Sequence, residues 1–161
     1  MKNVYITEIA GYPDKEAEGY VLDLSETSLR DCLGCWNCWL KTPGRCVHHD
    51  LDDFYRAFIG ADRAVFYIKA SMGFVSGNLK TLLDRMIPHY LPYIRYTTGE
   101  SMHAPRYAAY PRVEAYYTGE FISVEERQVL EDYLSRVFCQ FQARSAVVRP
   151  LADEGAGGET R

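Results

Sequence analysis

Two hydrophobic patterns alternate along most of the chain. Short apolar runs rich in β-branched and aromatic residues predict strands at residues 3–9, 20–24, 64–68, 112–118 and 146–148. Apolar residues at helical spacing predict helices at residues 51–58, 79–86 and 130–141. Because strands that alternate with helices form parallel sheets, this order predicts an α/β domain with a mostly parallel sheet of about five strands, covered on both faces.

Polar residues at the expected helix ends support these boundaries. Asp50 is placed to cap the first helix, and Ser123 with Glu126 has the spacing of a capping box before the last one. Pro88 is predicted to end the helix at residues 79–86, since proline cannot continue it.

Two connections break the regular pattern. Residues 10–19 contain two glycines and a proline and no apolar stripe, and they are too few for a crossover helix. The first helix of the sheet is therefore expected to be reduced or absent. Residues 89–111 form a long tyrosine-rich connection, which we expect to be functional or to face a partner.

Length and charge narrow the classes of function. The 161 residues suffice for one domain, predicted at residues 1–151, with a disordered tail at residues 152–161. A net charge of −4 does not favour nucleic acid or an anionic membrane as partner. The sequence has no run of about 18 apolar residues and no signal-peptide pattern, so a cytoplasmic protein is expected. In that compartment we expect its cysteines to be free thiols, metal ligands or redox groups rather than structural disulfides.

Two loops are candidates for ligand binding, because open parallel sheets bind ligands beyond the C-terminal ends of their strands. The first comprises Lys69, Ala70, Ser71, Met72, Gly73, Phe74 and Val75, and the second Thr118, Gly119 and Glu120. Free backbone N–H groups, hydroxyls and apolar side chains together suit a flat heteroaromatic ring with polar edges. The alternative is that the first loop is only a tight strand-to-helix connection with Ser76 as N-cap.

A cysteine-rich segment is the second candidate for chemistry. Cys32, Cys35 and Cys38 recur every three residues, and Cys46 follows nearby. Four such thiols suit an iron–sulfur cluster, while zinc or a redox-active disulfide of the Cys-x-x-Cys type is also consistent with this spacing. A further alternative is that some of them are small buried hydrophobic residues beneath the two tryptophans. Cys139, in the last helix, is assigned to packing.

Two blocks of the sequence resemble the NADPH-dependent FMN reductase and iron–sulfur flavoprotein superfamily. The first is Cys32-Leu33-Gly34-Cys35-Trp36-Asn37-Cys38-Trp39 with Gly44-Arg45-Cys46 and the stretch from Asp50 to Phe54. The second is Ala61-Asp62-Arg63-Ala64-Val65-Phe66, followed by Gly73-Phe74-Val75-Ser76-Gly77-Asn78-Leu79-Lys80 and Asp84-Arg85. The resemblance covers roughly residues 30–90.

The resemblance implies a flavodoxin-like three-layer sandwich and a homo-oligomer, either a dimer or a tetramer. It also implies FMN at the strand ends, reduced by NADH or NADPH and reoxidised by a quinone, free flavin or another small acceptor. The two candidate loops would flank the flavin ring, and Cys32, Cys35, Cys38 and Cys46 would hold a 4Fe–4S cluster. No side-chain acid or base is required for catalysis, since the flavin carries the chemistry.

The chain departs from this family after its first strand. A phosphate-binding loop and helix follow there in the family, whereas this chain has Ile9-Ala10-Gly11-Tyr12-Pro13 and no predicted helix. Losing three charge-assisted hydrogen bonds would weaken binding of the FMN phosphate by roughly three decades. The alternative function is therefore a degenerate subunit without flavin that acts through association or its cysteines. We also expect a second subunit, or part of residues 90–117, to cover the sheet where the helix is missing.

Overall fold

The computed structural model describes residues 1–97 and 99–155. In chain order its strands are β1 (Asn3–Thr7), β2 (Tyr20–Asp23), β3 (Arg63–Lys69), β4 (Tyr90–Thr97), β5 (Glu100–Pro105), β6 (Arg112–Thr118) and β7 (Ala146–Pro150). Its helices are α1 (Asn37–Leu40), α2 (Asp52–Gly60), α3 (Gly77–Asp84) and α4 (Val124–Gln140), with short 3-10 turns at Ile87–His89 and Leu151–Asp153.

Five strands form one parallel sheet in the order β2-β1-β3-β6-β7. The central strand β3 is buried on both faces from Ala64 to Ile68, as its unbroken apolar run predicted. From β1 the chain first runs to the edge strand β2. It then returns to β3, on the other side of β1, and continues through β6 to the opposite edge strand, β7. The point of reversal, between β1 and β3, is where sheets of this order bind their ligands.

The three long helices cover one face of the sheet. Their buried residues, such as Phe54 of α2, Leu82 of α3 and Phe138 of α4, share one core with the inward residues of β1, β3 and β6. Phe66 of β3 lies 5.0 Å, ring centre to ring centre, from Phe138. Burial of this apolar surface, at about 25 cal/mol per Å², is the main stabilising term of the fold.

The opposite face of the sheet is covered by irregular segments. Its small core consists of Tyr5, Val65, Tyr67 and Tyr116, packed against residues of the 8–19 segment and against Leu151. The Tyr12 ring lies 4.8 Å from that of Tyr67. The third layer of the sandwich is thus thin, and no helix follows β1 at residues 8–19, as the sequence predicted.

Strands β4 (Tyr90–Thr97) and β5 (Glu100–Pro105) pair as an antiparallel hairpin, which the sequence analysis did not predict. The hairpin packs beside the helices: the Tyr90 ring stacks 5.9 Å from that of Phe141, and Gln142 Nε2 donates to His103 O at 3.0 Å. The expectation that residues 90–117 cover the helix-free face is therefore wrong, because this connection is anchored to the helical layer.

The helix ends confirm two predicted caps and correct a third. Ser76 Oγ accepts from Leu79 N at 3.0 Å, and Ser123 Oγ accepts from Glu126 N at 3.2 Å. Asp50 does not cap α2, whose N-cap is Leu51, since its carboxylate is engaged by Arg85.

The end of the chain is held against the sheet as far as the structure describes it. Within the predicted tail, Glu154 Oε1 accepts from Tyr67 Oη at 2.6 Å, and residues 156–161 lie outside the described residues. None of the helices in the described ranges has the length and apolarity that a membrane span requires.

Candidate functional site

The two predicted loops meet beyond the ends of β3 and β6. Ala70 N donates to Thr118 O at 2.7 Å, which joins the loop after β3 to the loop after β6. Together with the start of α4 they enclose an open cleft of about 790 Å³. The cleft lies at the carboxyl edge of the sheet, where the sequence predicted a ligand site.

Two glycines allow the walls of the cleft to approach each other. A Cβ atom on Gly119 would lie 2.7 Å from the Cβ of Ala70, and one on Gly73 would lie 2.2 Å from Glu126 Oε1. A side chain at Gly119 would push the two loops apart, whereas one at Gly73 would have to displace the end of the Glu126 side chain. The Glu126 carboxylate also accepts from Ile122 N, which fixes the turn before α4 to the first turn of that helix.

Seven of the ten predicted ring-binding residues line this cleft: Lys69, Ala70, Met72, Gly73, Thr118, Gly119 and Glu120. The other three do not reach it. Ser71 and Phe74 pair through their backbones, the Phe74 ring packs 4.6 Å from Tyr133, and Val75 is buried in the core. These three residues shape the turn into α3.

The cleft offers both polar and apolar contacts. The backbone N–H groups of Gly73, Gly119 and Glu120 make no hydrogen bond within the described residues. Met72 and Ile122 expose 98% and 95% of their surfaces, and Phe121 adds an aromatic wall. Exposed apolar side chains beside free donors suit a planar ring with polar edges.

Glu8 lies at the switch point between β1 and β3. Its carboxylate accepts from Lys69 N at 3.1 Å through Oε2 and from the Ser76 hydroxyl through Oε1. Burial raises the pKa of Glu8 above its ordinary value, although these hydrogen bonds oppose the shift. A side-chain carboxylate therefore already uses the donors between the two strand ends.

Only part of FMN matches this arrangement of donors. The cleft suits the isoalloxazine ring, because residues with free N–H groups and apolar side chains line it together. The region after β1 does not fit the phosphate, since it has no helix N-terminus and carries Glu8. The structure thus agrees with the resemblance at the ring and departs from it at the phosphate.

The cysteine segment forms a second site on the helical side. All four predicted cysteines, Cys32, Cys35, Cys38 and Cys46, line one pocket of about 160 Å³. Its walls are mainly apolar, and His48 and Arg85 also border it. The structure therefore brings together the four thiols that the sequence grouped.

Helix α3 and its end hold this segment through one row of side chains. Asn78 Nδ2 donates to Leu24 O at 2.8 Å and to Thr27 O at 2.6 Å, and Thr81 Oγ1 donates to Asp31 Oδ1 at 2.7 Å. Asn78, Thr81 and Arg85 are spaced by three and four residues, so they share one face of the helix.

Arg85 is the buried centre of this arrangement. Its side chain is 0% exposed, and its guanidinium donates to both oxygens of Asp50 and to Arg30 O. It also lies 3.5 Å from Cys46 Sγ, while Nε has no partner in the described part of the chain. The hydrogen bond from Arg85 lowers the pKa of Asp50, which stays ionised as its counter-charge.

The thiols affect one another electrostatically. Burial, and then the neighbouring Cys46 and Cys32, raise the pKa of Cys38 to about 11. Cys38 is thus protonated at neutral pH, which argues against it as the attacking thiol of a redox disulfide. All five cysteines are free, and within residues 1–97 and 99–155 no three His, Cys, Asp or Glu side chains are arranged to hold one metal ion.

Comparison with known proteins gives matches to both the sequence and the fold. An iron–sulfur flavoprotein of Methanocaldococcus jannaschii is 36% identical over 73 residues, which is 45% of this chain and 36% of that protein's length. No family model matches the chain.

Solved structures match nearly the whole chain. The azoreductase AzrA aligns with a TM-score of 0.58 at 13% identity, covering 96% of this chain and 90% of that one. An azoreductase from Bacillus anthracis aligns with a TM-score of 0.57 at 14% identity, covering 96% and 89%. An FMN-dependent NADH-azoreductase from the same species, in complex with FMN, gives a TM-score of 0.56 at 13% identity, covering 92% and 85%.

The chain has a flavodoxin-like fold. The predicted fold class is confirmed, and the resemblance to iron–sulfur flavoproteins is confirmed over the 73 matched residues. The chain spans about a third of the length of the curated relative that it matches.

Sequence reasoning missed the roles of two residues, Arg85 and Glu8. Arg85 was noted as part of a motif but not as a buried charge, because its partner Asp50 lies 35 positions earlier. Glu8 was counted within the first predicted strand, at residues 3–9, whereas β1 ends at Thr7. A carboxylate placed directly after β1, where the family has phosphate donors, was the available signal.

Proposed function

We propose that this chain is a flavin-dependent NAD(P)H oxidoreductase that passes electrons to a quinone, free flavin or another small acceptor. The observation that carries this proposal is the cleft formed by the loops after β3 and β6, which is lined both by residues with free N–H groups and by exposed apolar side chains. A flavin ring bound there supplies the redox chemistry. The names of the solved neighbours, which include an FMN-dependent NADH-azoreductase, support the same assignment.

The residues of the cleft bind and orient the ring rather than move protons. Gly73, Gly119 and Glu120 present N–H groups toward a polar ring edge, while Met72 and Ile122 cover its apolar part. No side-chain acid or base is needed, because a flavin exchanges electrons with the nicotinamide directly. The cleft stays open to solvent, so a second planar molecule has access to the bound ring.

A visible spectrum and flavin titration test this proposal. Purified protein is expected to quench flavin fluorescence and, with NADH or NADPH present, to reduce a quinone. Absence of quenching by any flavin at high micromolar concentration would contradict the assignment. Reduction assays with both nicotinamides and several acceptors then define the donor and the acceptor.

We also propose that Cys32, Cys35, Cys38 and Cys46 hold a 4Fe–4S cluster as an auxiliary electron site. Each thiolate of such a cluster binds its own iron, so the four sulfurs need not converge on one ion. The shared pocket, the nearby Arg85 cation and the name of the curated relative support the assignment. Free thiols of this kind also suit a cytoplasmic location, which we include in the proposal.

Iron and sulfide analysis of anaerobically isolated protein tests the cluster. About four of each per chain are expected. Cys46→Ser is expected to lose most of both, whereas Cys139→Ser, which changes a cysteine outside the pocket, should keep them. Iron-free wild-type protein from anaerobic cells would contradict the cluster assignment.

A second candidate function is a flavodoxin-like subunit without flavin that acts through association or its cysteines. The placement of Glu8 where a phosphate anchor is expected favours this candidate. A colourless protein that binds no flavin but still changes its thiol state reversibly would support it over the first.

We further propose that the chain forms a homodimer or homotetramer. Large exposed apolar side chains lie on the neighbouring hairpin and cysteine segment: Leu33, Trp36, Leu40, Tyr93, Ile94 and Tyr96. Burying them against a second copy would remove apolar surface from water. Sedimentation equilibrium is expected to give a mass above that of one chain, and a monomer at micromolar concentration would refute this proposal.

A further inference from the structure

Several donors after β1 are already engaged within the chain, and only the N–H groups of Ala10 and Gly11 make no hydrogen bond among the described residues of that turn. Glu8 N donates to Tyr67 O at 2.9 Å, Ile9 N to Thr7 Oγ1 at 3.0 Å, and Tyr12 N to Ile9 O at 3.2 Å. Pro13 has no N–H to offer. A phosphate at this position could bind the N–H groups of Glu8, Ile9 and Tyr12 only if their present hydrogen bonds were broken.

The donors of the neighbouring elements are engaged as well. Lys69 N and the Ser76 hydroxyl, which lie at the end of β3 and the start of α3, both donate to Glu8. The carboxylate thus occupies the position of an anion at the switch point. A phosphate group could use these donors only by displacing a side chain of the same charge.

The charges around the cleft also disfavour the binding of a phosphate group. A phosphomonoester carries between one and two negative charges at neutral pH. Glu8, Glu120 and Glu126 lie at or beside the cleft, and Lys69 is the cation that lines it among the described residues. The uncharged ring of a flavin avoids this repulsion, whereas the phosphate of FMN encounters it.

We propose that the cleft selects flavins without a phosphate, such as riboflavin, over FMN. This inference rests on the proposed function, because it concerns which flavin enters the same cleft. The ring would take the N–H groups of the two loops, and the neutral ribityl chain would lie toward Glu8. Such a flavin binds as an exchangeable ligand rather than as a resident cofactor.

Titration of wild-type protein with riboflavin, lumiflavin and FMN tests the proposal. Fluorescence quenching gives a Kd for each flavin under the same conditions. We expect FMN to bind at least about tenfold more weakly than riboflavin at low ionic strength. Added salt should narrow the gap, because it screens the repulsion at this open site.

The variant Glu8→Gln isolates the carboxylate. Glutamine keeps an acceptor for Lys69 N and removes the charge, so the ratio of the FMN Kd to the riboflavin Kd should fall to within about threefold. Glu16→Gln, an exposed glutamate in the same 8–19 segment, is the matched control and should leave the tenfold gap.

Three results would overturn the inference in distinguishable ways. If FMN binds wild-type protein as tightly as riboflavin or more tightly, the preference is refuted and the proposed function stands. If Glu8→Gln changes both affinities equally, Glu8 is structural and does not select. If no flavin binds, the proposed function fails first and this inference fails with it.

Discussion

The cleft and the cysteine pocket are built in opposite ways. The cleft is made by backbone turns at the ends of β3 and β6, and its position follows from sheet topology. The pocket is formed by a segment with one short helix, and side chains of α3 and the buried Arg85 fix it in place. The first site therefore depends on how closely two loops approach, and the second on one ion pair.

Removing the buried cation should produce the largest difference between the two sites. Arg85→Met leaves Asp50 without its counter-charge and Arg30 O without its donor. We expect a loss of about 3 kcal/mol in the free energy of unfolding, since Asp50 keeps some contact with water. Urea denaturation measures the loss, and cysteine reactivity should rise while the ring cleft retains its ligand.

Arg56→Met is the matched control for that change. Arg56 pairs with Asp53, but the two side chains are 68% and 77% exposed. Such exposed pairs contribute little, so the variant should stay within about 0.5 kcal/mol of wild type. Equal losses in the two variants would mean that Arg85 does not organise the pocket.

Acid should weaken the core directly behind the cysteine pocket. His89 stacks 5.3 Å from Phe58, and burial lowers its pKa to about 4. The unfolded chain takes up this proton near the ordinary pKa of 6.5, so it binds more protons than the folded chain between pH 6.5 and about 4. Above pH 6.5 His89 does not reduce the free energy of unfolding. As the pH is lowered through this window the free energy of unfolding decreases, and at pH 5 it is about 2 kcal/mol lower than at neutral pH.

Replacing the imidazole should flatten that pH dependence. Urea midpoints of His89→Leu between pH 7 and 4.5 are expected to fall less steeply than those of wild type. Phe58→Leu changes the stacking partner without removing the titrating group, so it should lower stability and keep the slope. An unchanged slope in His89→Leu would assign the acid sensitivity to other groups.

The smallest effect is expected at the cleft and should leave the pocket intact. Gly119→Ala forces a methyl group against Ala70, which separates the two loops. We expect a cost of about 1 kcal/mol and a roughly tenfold loss of flavin affinity. Fluorescence titration and urea denaturation separate these two effects.

Gly60→Ala is the control for the glycine substitution. Gly60 ends α2, and a Cβ atom there would meet nothing within 4 Å. Alanine is a better helix former than glycine, so stability should stay the same or rise slightly. If Gly119→Ala binds flavin as well as Gly60→Ala does, the close approach of the loops is not needed for binding.

The regular helices and strands could be predicted from the sequence because their apolar residues occur at the positions that are buried in the core. The run at residues 64–68 lies within buried β3, and the stripe from Leu130 to Phe138 faces the core from α4. The hairpin was missed because Pro92 interrupts its first strand and its side chains are mostly exposed. The second strand alternates only over Met102, His103 and Ala104, which is too short a stretch to predict a strand.

The sequence predicted the position of the cleft, but it did not predict the ion pair that organises the cysteine pocket. The loops after β3 and β6 were placed from topology, but Phe74 and Val75 turn into the core because the Ser71–Phe74 backbone pair closes the loop early. Asp50 has the residue type of a helix cap, and only the folded chain brings Arg85 to it. Contacts between residues distant in sequence are not encoded in any local pattern.

The cysteine segment also supplies its own optical reporter. Trp36 and Trp39 are the chain's two tryptophans, and their rings lie 5.9 Å apart in edge contact beside the thiols. Trp39 Nε1 also donates to Tyr90 O at 2.9 Å, so it ties this segment to the base of the hairpin. Indole emission from the unmodified protein consequently monitors this corner alone, and a change in the thiols is detectable without any added label.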